Sequence, residues 1–547
     1  MVAAFFWFLL RLSSSFLLAL VNPPHYICGS CRSYTSSTWL APSITDYSDM
    51  DAVWFTVSFL AIAAIATKII AKRRATTSAP RSTIPAPPVV EGRSLVRFVH
   101  TLFTKGLRAT IHDEHARMGS VFTVSFLGLM KTTFLVGPDV LNHFYNGPES
   151  DINHGNMLDF MVPMFGKEVG YGVDFATRYE QIRFYSDPLK RPSKLRIHVD
   201  PIVQEVEGYF AKWGEEGTVD LKHEFSQLLM LISSRCLLGK EVREKMFDEM
   251  HALFHELKSG MRLSSVLFPY APTPTNRRRD RARAKLLKIF SEVVRSRRRR
   301  GEEEKEKEED VLQSLIDSRY KDGRATTEEE VTGMIILLVF GGMDTSTLAS
   351  TWTGARLLST PAAMAAAVEE QRRILTDHGH GDRVGYSEFM QMTTLHWSIK
   401  EALRMHPPSA VFFRKARRSF GVRTRDGREY EVPGGHTVAS PVLFNSHLPS
   451  VYKDPDVYDP TRFGPGREED RAGGKFTYEA FSCGRHSCVG EAYAYLQIKV
   501  MLSHLLRNFQ LELVSPFPQT DWGKLVPEPK GKVMVRYKRQ RLLSVPS

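Results

Sequence analysis

Residues 481–491 read FSCGRHSCVGE, and how this stretch is read decides the fold. Two of the chain's five cysteines, Cys483 and Cys488, stand close together here among glycines, an arginine and a histidine. Phe481, Gly484, Cys488 and Gly490 give the spacing F-x-x-G-x-x-x-C-x-G. A helical pattern, EAYAYLQIKVMLSHLLRNF, begins at once and runs from Glu491 to Phe509. Glycines ahead of the cysteine let the backbone turn tightly and aim N–H groups at the sulfur. The helix that follows turns its positive end on the same atom. Both effects favour a thiolate. Cys488 is therefore the chemical cysteine, and Cys483 a small residue filling the loop.

The other cysteines are Cys28, Cys31 and Cys236, too few and too scattered for a disulfide scaffold. The bulk of the chain suits a reducing compartment. The composition is that of a folded protein, 42% hydrophobic and 24% charged, with a net charge of +12. Such an excess suits an anionic membrane surface, a nucleic acid or an acidic protein partner. The densest basic tract, Asn276–Arg300, interleaves arginines with Leu286, Leu287, Ile289, Phe290, Val293 and Val294 at helical spacing. An acidic run, Gly301–Asp310, follows directly, and no stacking aromatics or groove-reading motif accompany the arginines. The tract reads as an exposed amphipathic helix and a solvated loop, with no nucleic-acid partner.

The N-terminus is of another kind. Residues 52–71, AVWFTVSFLAIAAIATKIIA, are almost wholly apolar and span about 30 Å as a helix, one bilayer core. Lys72–Arg74 follow, and basic flanks stay cytoplasmic. The expected organisation is an extension over 1–51, a transmembrane anchor over 52–71, a basic and Pro-rich linker over 72–92, and one large domain over 93–547. The extension holds a second greasy stretch, Ala3–Val21, with Arg11 at mid-span. It is a signal-like segment, a second pass or an unused extension. Cys28 and Cys31 form a lone CGSC with no supporting ligand pair.

Two motifs lie in the body. Thr327–Leu358 is the strongest helix of the chain, with Thr327 and Glu330 at capping-box spacing and an apolar run that should be buried. Its centre, Phe340–Thr347, holds Gly341, Gly342, Asp344 and three hydroxyls. Paired glycines permit a large flat ligand to approach or the helix to open, with Asp344 and Thr345 supporting a water chain. The competing reading is a kink with back-bonded hydroxyls. In SIKEALRMHPP, Glu401 and Arg404 share one helical face, and Arg462 in a turn-rich stretch can offer Glu401 a second guanidinium.

Taken in order, GGMDTS (341–346), EALR (401–404), PTRF (460–463) and FSCGRHSCVG (481–490) resemble the cytochrome P-450 superfamily, over roughly Pro88 to Arg539. The resemblance implies a mainly helical fold with small β-sheets and a haem b (iron protoporphyrin IX) ligated by Cys488. Thiolate ligation of haem iron favours O–O cleavage. It further implies that Phe481, Gly484 and Gly490 shape the cofactor loop. Asp344 and Thr345 become the proton-delivering pair, and Glu401, Arg404 and Arg462 a buried structural triad. Within the superfamily, VPMFGKEVGYGVD (162–174), SRCLLGKEVREK (234–245) and CGRHSCVGEAYAYLQ (483–497) are similar to fungal sterol 14α-demethylases. That likeness implies that Tyr171, Arg414 and His486 hold the haem propionates, and that Met164, Phe165, Tyr171 and Gly341 line an apolar substrate pocket.

The chain departs from those demethylases at several points. Gly342-Met343-Asp344-Thr345 stands where they carry G-Q-H-T, Met157 where they carry Tyr, and Ser487 where they carry a basic residue. Ile182 stands where they carry Lys, with Arg183 next to it as the compensating cation. The implied function is a haem-thiolate monooxygenase that oxidises a sterol, steroid or triterpenoid. It would use O2 and electrons from NADPH through a membrane reductase, at the endoplasmic reticulum with the catalytic domain cytosolic. The alternative is a true sterol 14α-demethylase of ergosterol biosynthesis. A haem-thiolate isomerase or dehydratase would not need Asp344 and Thr345. A non-catalytic sterol-binding protein would change spectrum with ligand but yield no product.

Overall fold

The computed structural model describes residues 83–540 apart from 127, 129, 300–309, 378–383, 523 and 525. The expected anchor over 52–71, the extension before it, most of the linker and nearly all of the acidic run lie outside the described residues. The described chain is mainly helical, with four small sheets. The largest has six strands in the order Val89–Val90, Val121–Phe126, Met130–Leu135, Thr437–Ser440, Phe412–Ala416 and Ile152–Asn153. Phe122 and Phe134 stack across two of its antiparallel strands, with ring centroids 5.3 Å apart, and bury one face.

The core is built around one helix, Glu328–Ser359, hereafter the central helix. At 32 residues it is about 48 Å long. The capping box forms. Thr327 Oγ1 accepts from the Glu330 amide at 3.2 Å, and the Glu330 carboxylate accepts from the Thr327 amide at 2.8 Å. Tyr320 and Arg324 also donate to Glu330, so its carboxylate carries four donors and stays ionised below the usual carboxylate range. The helices Leu221–Ser233, Pro274–Arg299, Thr393–Met405 and Glu491–Asn508 pack around it. Among the described residues, the helix apolar and long enough to cross a bilayer is this buried one.

Gly333 sets one approach in that packing. A Cβ there would lie 2.5 Å from the Phe165 carbonyl, so only a bare Cα lets the short helix Val162–Phe165 reach the central helix. The basic tract forms the helix Pro274–Arg299 with Leu286, Phe290, Val293 and Val294 inside. Its reading as an exposed helix is corrected at two positions, Arg279 and Arg297, each 1% exposed. Arg297 Nε donates to Glu241 and Nη1 to Asp310, both at 2.8 Å, and Asp310 caps the next helix. Opposite charge and donor geometry let a guanidinium sit in the core.

Candidate haem-thiolate site

The cysteine loop is held from both sides. Before it, the Tyr478 hydroxyl donates to the Lys400 carbonyl at 3.0 Å, and the Thr477 carbonyl accepts from Tyr452 at 3.1 Å. Glu479, 3% exposed, accepts from Tyr145, from Ser440 at 2.5 Å and from Asn445 at 2.8 Å. Burial pushes its carboxyl up, and those donors pull against the rise. Gly484 then takes a left-handed turn, φ +59°, where a Cβ would sit 2.6 Å from the Tyr145 carbonyl. The Cys488 amide closes the loop by donating to the Phe481 carbonyl at 2.8 Å. Phe481 packs on Tyr495 of the following helix, ring centroids 5.2 Å apart.

The Cys488 side chain opens onto a cavity of about 1280 Å3. Enclosure by protein pushes its thiol up, while the Gly490 and Glu491 amides and Lys190 pull it down. The helix-start amides thus favour the thiolate, and the Glu491 carboxylate works against them. Cys483 is different. It donates to the Tyr478 carbonyl at 3.5 Å, packs on the neighbouring apolar cluster, and burial raises its thiol to about 12.

One wall of the cavity is cationic. Arg414 is 4% exposed, donates Nη1 to the Phe413 carbonyl at 2.9 Å, and leaves Nε without a hydrogen-bond partner. Arg178 lies over the Tyr171 ring at 5.7 Å. His154 meets Tyr171 and His486 edge-on, at 5.7 and 4.8 Å between centroids. Burial, with Arg414 and Arg178 nearby, lowers His486 to about 3 and His154 to about 2, so both rings are neutral. Glu149 sits 3.8 Å from Arg178 and 3.4 Å from His486. Arg178 and Arg414 share the one carboxylate of Glu149, and the buried Arg414 Nε has no hydrogen-bond partner among the described residues, which leaves room for an anionic ligand.

The sequence reading placed Arg183 here, and the structure corrects it. Arg183 is half exposed, 3.9 Å from Glu180, and is not among the residues lining the cavity. Neighbours on a helix point about 100° apart, so a residue beside Ile182 cannot take over its direction. Phe175, Arg178, Ile182 and Tyr185 share the face that lines the cavity. That spacing of three, four and three was legible in the sequence and would have selected Arg178. His154, Glu479 and Lys258 were also missed. No local pattern marks them, because their partners are distant in the chain.

Met164 and Phe165 are likewise moved from the pocket lining into the core. Met164 is fully buried and packs at Gly260, and Phe165 meets Phe340 edge-on at 5.8 Å. Tyr171 does line the cavity, with Phe160, Met161 and Leu337 as apolar neighbours. Gly341, expected in the pocket lining, is not among the residues lining the cavity, although a Cβ on it or on Gly342 would meet nothing within 4 Å. The central helix nevertheless runs through them as one α-helix, without the opening that the paired glycines allow. Thr345 donates back to the Gly341 carbonyl at 2.8 Å. Asp344 is held by Lys258 Nζ, also at 2.8 Å. Neither residue of that pair is among those lining the cavity.

The triad is assembled. Arg404 Nε and Nη2 both donate to Glu401 at 2.8 Å, and Arg462 Nε donates to the same carboxylate at 2.8 Å. All three side chains are fully buried. The remaining guanidinium protons go to the carbonyls of Ser446, Pro455, Lys453 and Val457, and Arg462 Nη1 also donates to the Glu469 carboxylate at 2.5 Å. This knot ties the helix Thr393–Met405 to the segment that leads into the cysteine loop.

The family model for cytochrome P450 matches residues 91–535. The chain is a cytochrome P450. Membership makes it a monooxygenase that carries a cysteine-ligated haem and draws electrons from a reductase. The P450 is 50% identical over 461 residues to an obtusifoliol 14-alpha demethylase of Sorghum bicolor, covering 84% of this chain and 91% of that one. It is 49% identical to a sterol 14-demethylase of Arabidopsis thaliana, over 83% and 90%. It is 32% identical to the lanosterol 14-alpha demethylase of Homo sapiens, over 79% and 82%. These relatives are plant and animal proteins, and the narrower likeness to fungal members finds no support in them. A retinoic-acid-bound cyanobacterial CYP120A1 has the same fold, with a TM-score of 0.69 at 21% identity, over 84% of this chain and all of that one.

Proposed function

We propose that this P450 oxidises a sterol, steroid or triterpenoid, and that Cys488 would ligate its haem. The observation that carries the reading is the Cys488 side chain, just ahead of the start of the helix Glu491–Asn508, opening onto a large cavity with one cationic wall. Haem, when bound there, supplies the oxidising chemistry. Arg414, Arg178, Tyr171 and His486 hold its two carboxylates. Gly341 and Gly342 leave the central helix bare on one side, where a flat ligand is accommodated. Phe160, Met161, Phe175, Ile182 and Leu337 exclude water and receive an apolar ring skeleton. Asp344 and Thr345 hold and pass a proton. The pair requires release of Asp344 from Lys258 before the carboxylate can turn to this task.

The basic balance suits docking of an acidic reductase. Residues 52–71 would anchor the protein in the endoplasmic reticulum membrane with the body in the cytosol. Sterol 14-demethylation is the second reading, favoured by the names of relatives at about half identity. Asp344, where the notable G-Q-H-T pattern of demethylases would place His, favours oxidation of another steroid-like carbon. The test is reconstitution with reductase, NADPH and lanosterol, eburicol and later steroid intermediates. A hydroxylated product with the methyl group retained supports the first reading. Formate with a new ring alkene supports the second. No product from wild type, or full turnover by Cys488→Ala, overturns both.

A further inference from the structure

The cavity is longer than the site just described. Its walls include Leu337 and Arg356, which stand about 28 Å apart along the central helix. The Leu337 end belongs to the cofactor region, since a Cβ on Gly170, next to Tyr171, would lie 3.2 Å from Leu337. The Arg356 end is built from other elements. His406 stacks flat on Trp352, centroids 3.7 Å apart, and the Arg356 guanidinium covers the Phe517 ring at 4.3 Å.

Arg356 is a half-buried cation with no carboxylate partner among the described residues. Its Nε and Nη2 both donate to His406 Nε2, at 3.0 and 2.9 Å, and Nη1 has no hydrogen bond among the described residues. Two nearby carboxylates are committed to other cations. Glu401 holds Arg404 and Arg462, and Asp456 holds Arg108 at 2.5 Å. Lys524 and Lys530 add further cations to the same cavity, and Asp521 also lines it. A guanidinium is costly to enclose without an anion, and its planar fork matches a carboxylate. His406 is held neutral by burial and by Arg356 itself, so it accepts from the guanidinium and does not neutralise it.

We infer that the Arg356 end of the cleft is a subsite for a carboxylate carried by the substrate, on the end of the skeleton remote from the oxidised carbon. This rests on the steroid-class reading and sharpens it to acidic members of that class. The Trp352–His406 stack and Phe517 form an aromatic wall that positions the guanidinium and takes the apolar chain leading to the acid.

The test is equilibrium titration of the haem-loaded protein with cholenic acid and with its methyl ester, read by the haem absorption shift and by calorimetry. Wild type is expected to bind the acid about ten-fold more tightly than the ester, the scale of one charge-assisted contact. Arg356→Gln should erase that preference and leave the ester unchanged, while Arg356→Lys should keep part of it. Equal affinities in wild type, or a preference that survives in Arg356→Gln, overturn the subsite and leave the steroid reading standing. Binding of neither compound overturns both. The wild-type comparison needs no variant, so a Gln variant that fails to load haem does not remove the test.

Discussion

Arg178 and Arg183 sit five residues apart on one helix and meet different fates, one over the Tyr171 ring in the cavity, the other out beside Glu180. Arg178→Ala should lower haem retention by about ten-fold or more, because a charge-assisted contact in an enclosed site is lost. Arg183→Ala should leave it unchanged, and haem-to-protein absorbance after gel filtration separates the two. Lys258→Ala makes a second prediction at this scale. Its ion pair with Asp344 is half exposed, so stability should move by under about 1 kcal/mol. Freeing Asp344 should instead change the ratio of product formed to NADPH consumed, and an unchanged ratio would remove the pair from proton handling. Cys488 was legible from its own neighbours. Arg178 was legible from helical spacing, although adjacency in sequence pointed to Arg183. Lys258 was not legible, since its partner lies far along the chain and only folding brings them together.

The central helix and its cap could be read almost to the residue, because a capping box and an unbroken apolar run are local signals. The triad was half legible. Glu401 and Arg404 share a helix face by spacing, but Arg462 could only be offered as a partner until the fold supplied the contact. The structure adds that all three are fully buried; Arg404 has Glu401 as its one carboxylate partner among the described residues, while Arg462 also pairs with Glu469 at 2.5 Å. Glu401→Gln leaves buried Arg404 with a neutral acceptor and Arg462 with Glu469 alone, a loss of about 3–5 kcal/mol on the scale of broken buried pairs. Urea unfolding of haem-loaded protein measures it, and a loss below about 1 kcal/mol would mean that the backbone carbonyls around the arginines suffice. Burial of Arg279 and Arg297 escaped the sequence reading, because a basic run gives no hint of which members find carboxylates or carbonyls inside.

Over the whole molecule, one buried base sets a pH trend. Lys499 is 4% exposed and donates to the Phe389 carbonyl at 3.0 Å. Burial, against the pull of Glu370, lowers it from 10.5 to about 8. Between those values the unfolded chain binds more protons at this position than the folded one, so its contribution makes stability rise with pH across that window. Below about 8 the folded protein carries a buried charge at a cost. Lys499→Met should therefore stabilise the protein at neutral pH and flatten the rise above it, as thermal unfolding at pH 7 and pH 9.5 would show. A variant less stable at pH 7 would mean that the bond to Phe389 outweighs the enclosed charge.

The turn at Gly484 leads to one last consequence. Its left-handed backbone lies against the Tyr145 carbonyl, and Glu479 just before it is gripped by the Tyr145 hydroxyl. The sulfur's cradle is thus moulded on the short helix Asn142–Asn146, from the opposite half of the chain. Substitutions in that helix, remote from any reacting atom, should shift the colour of the pigment.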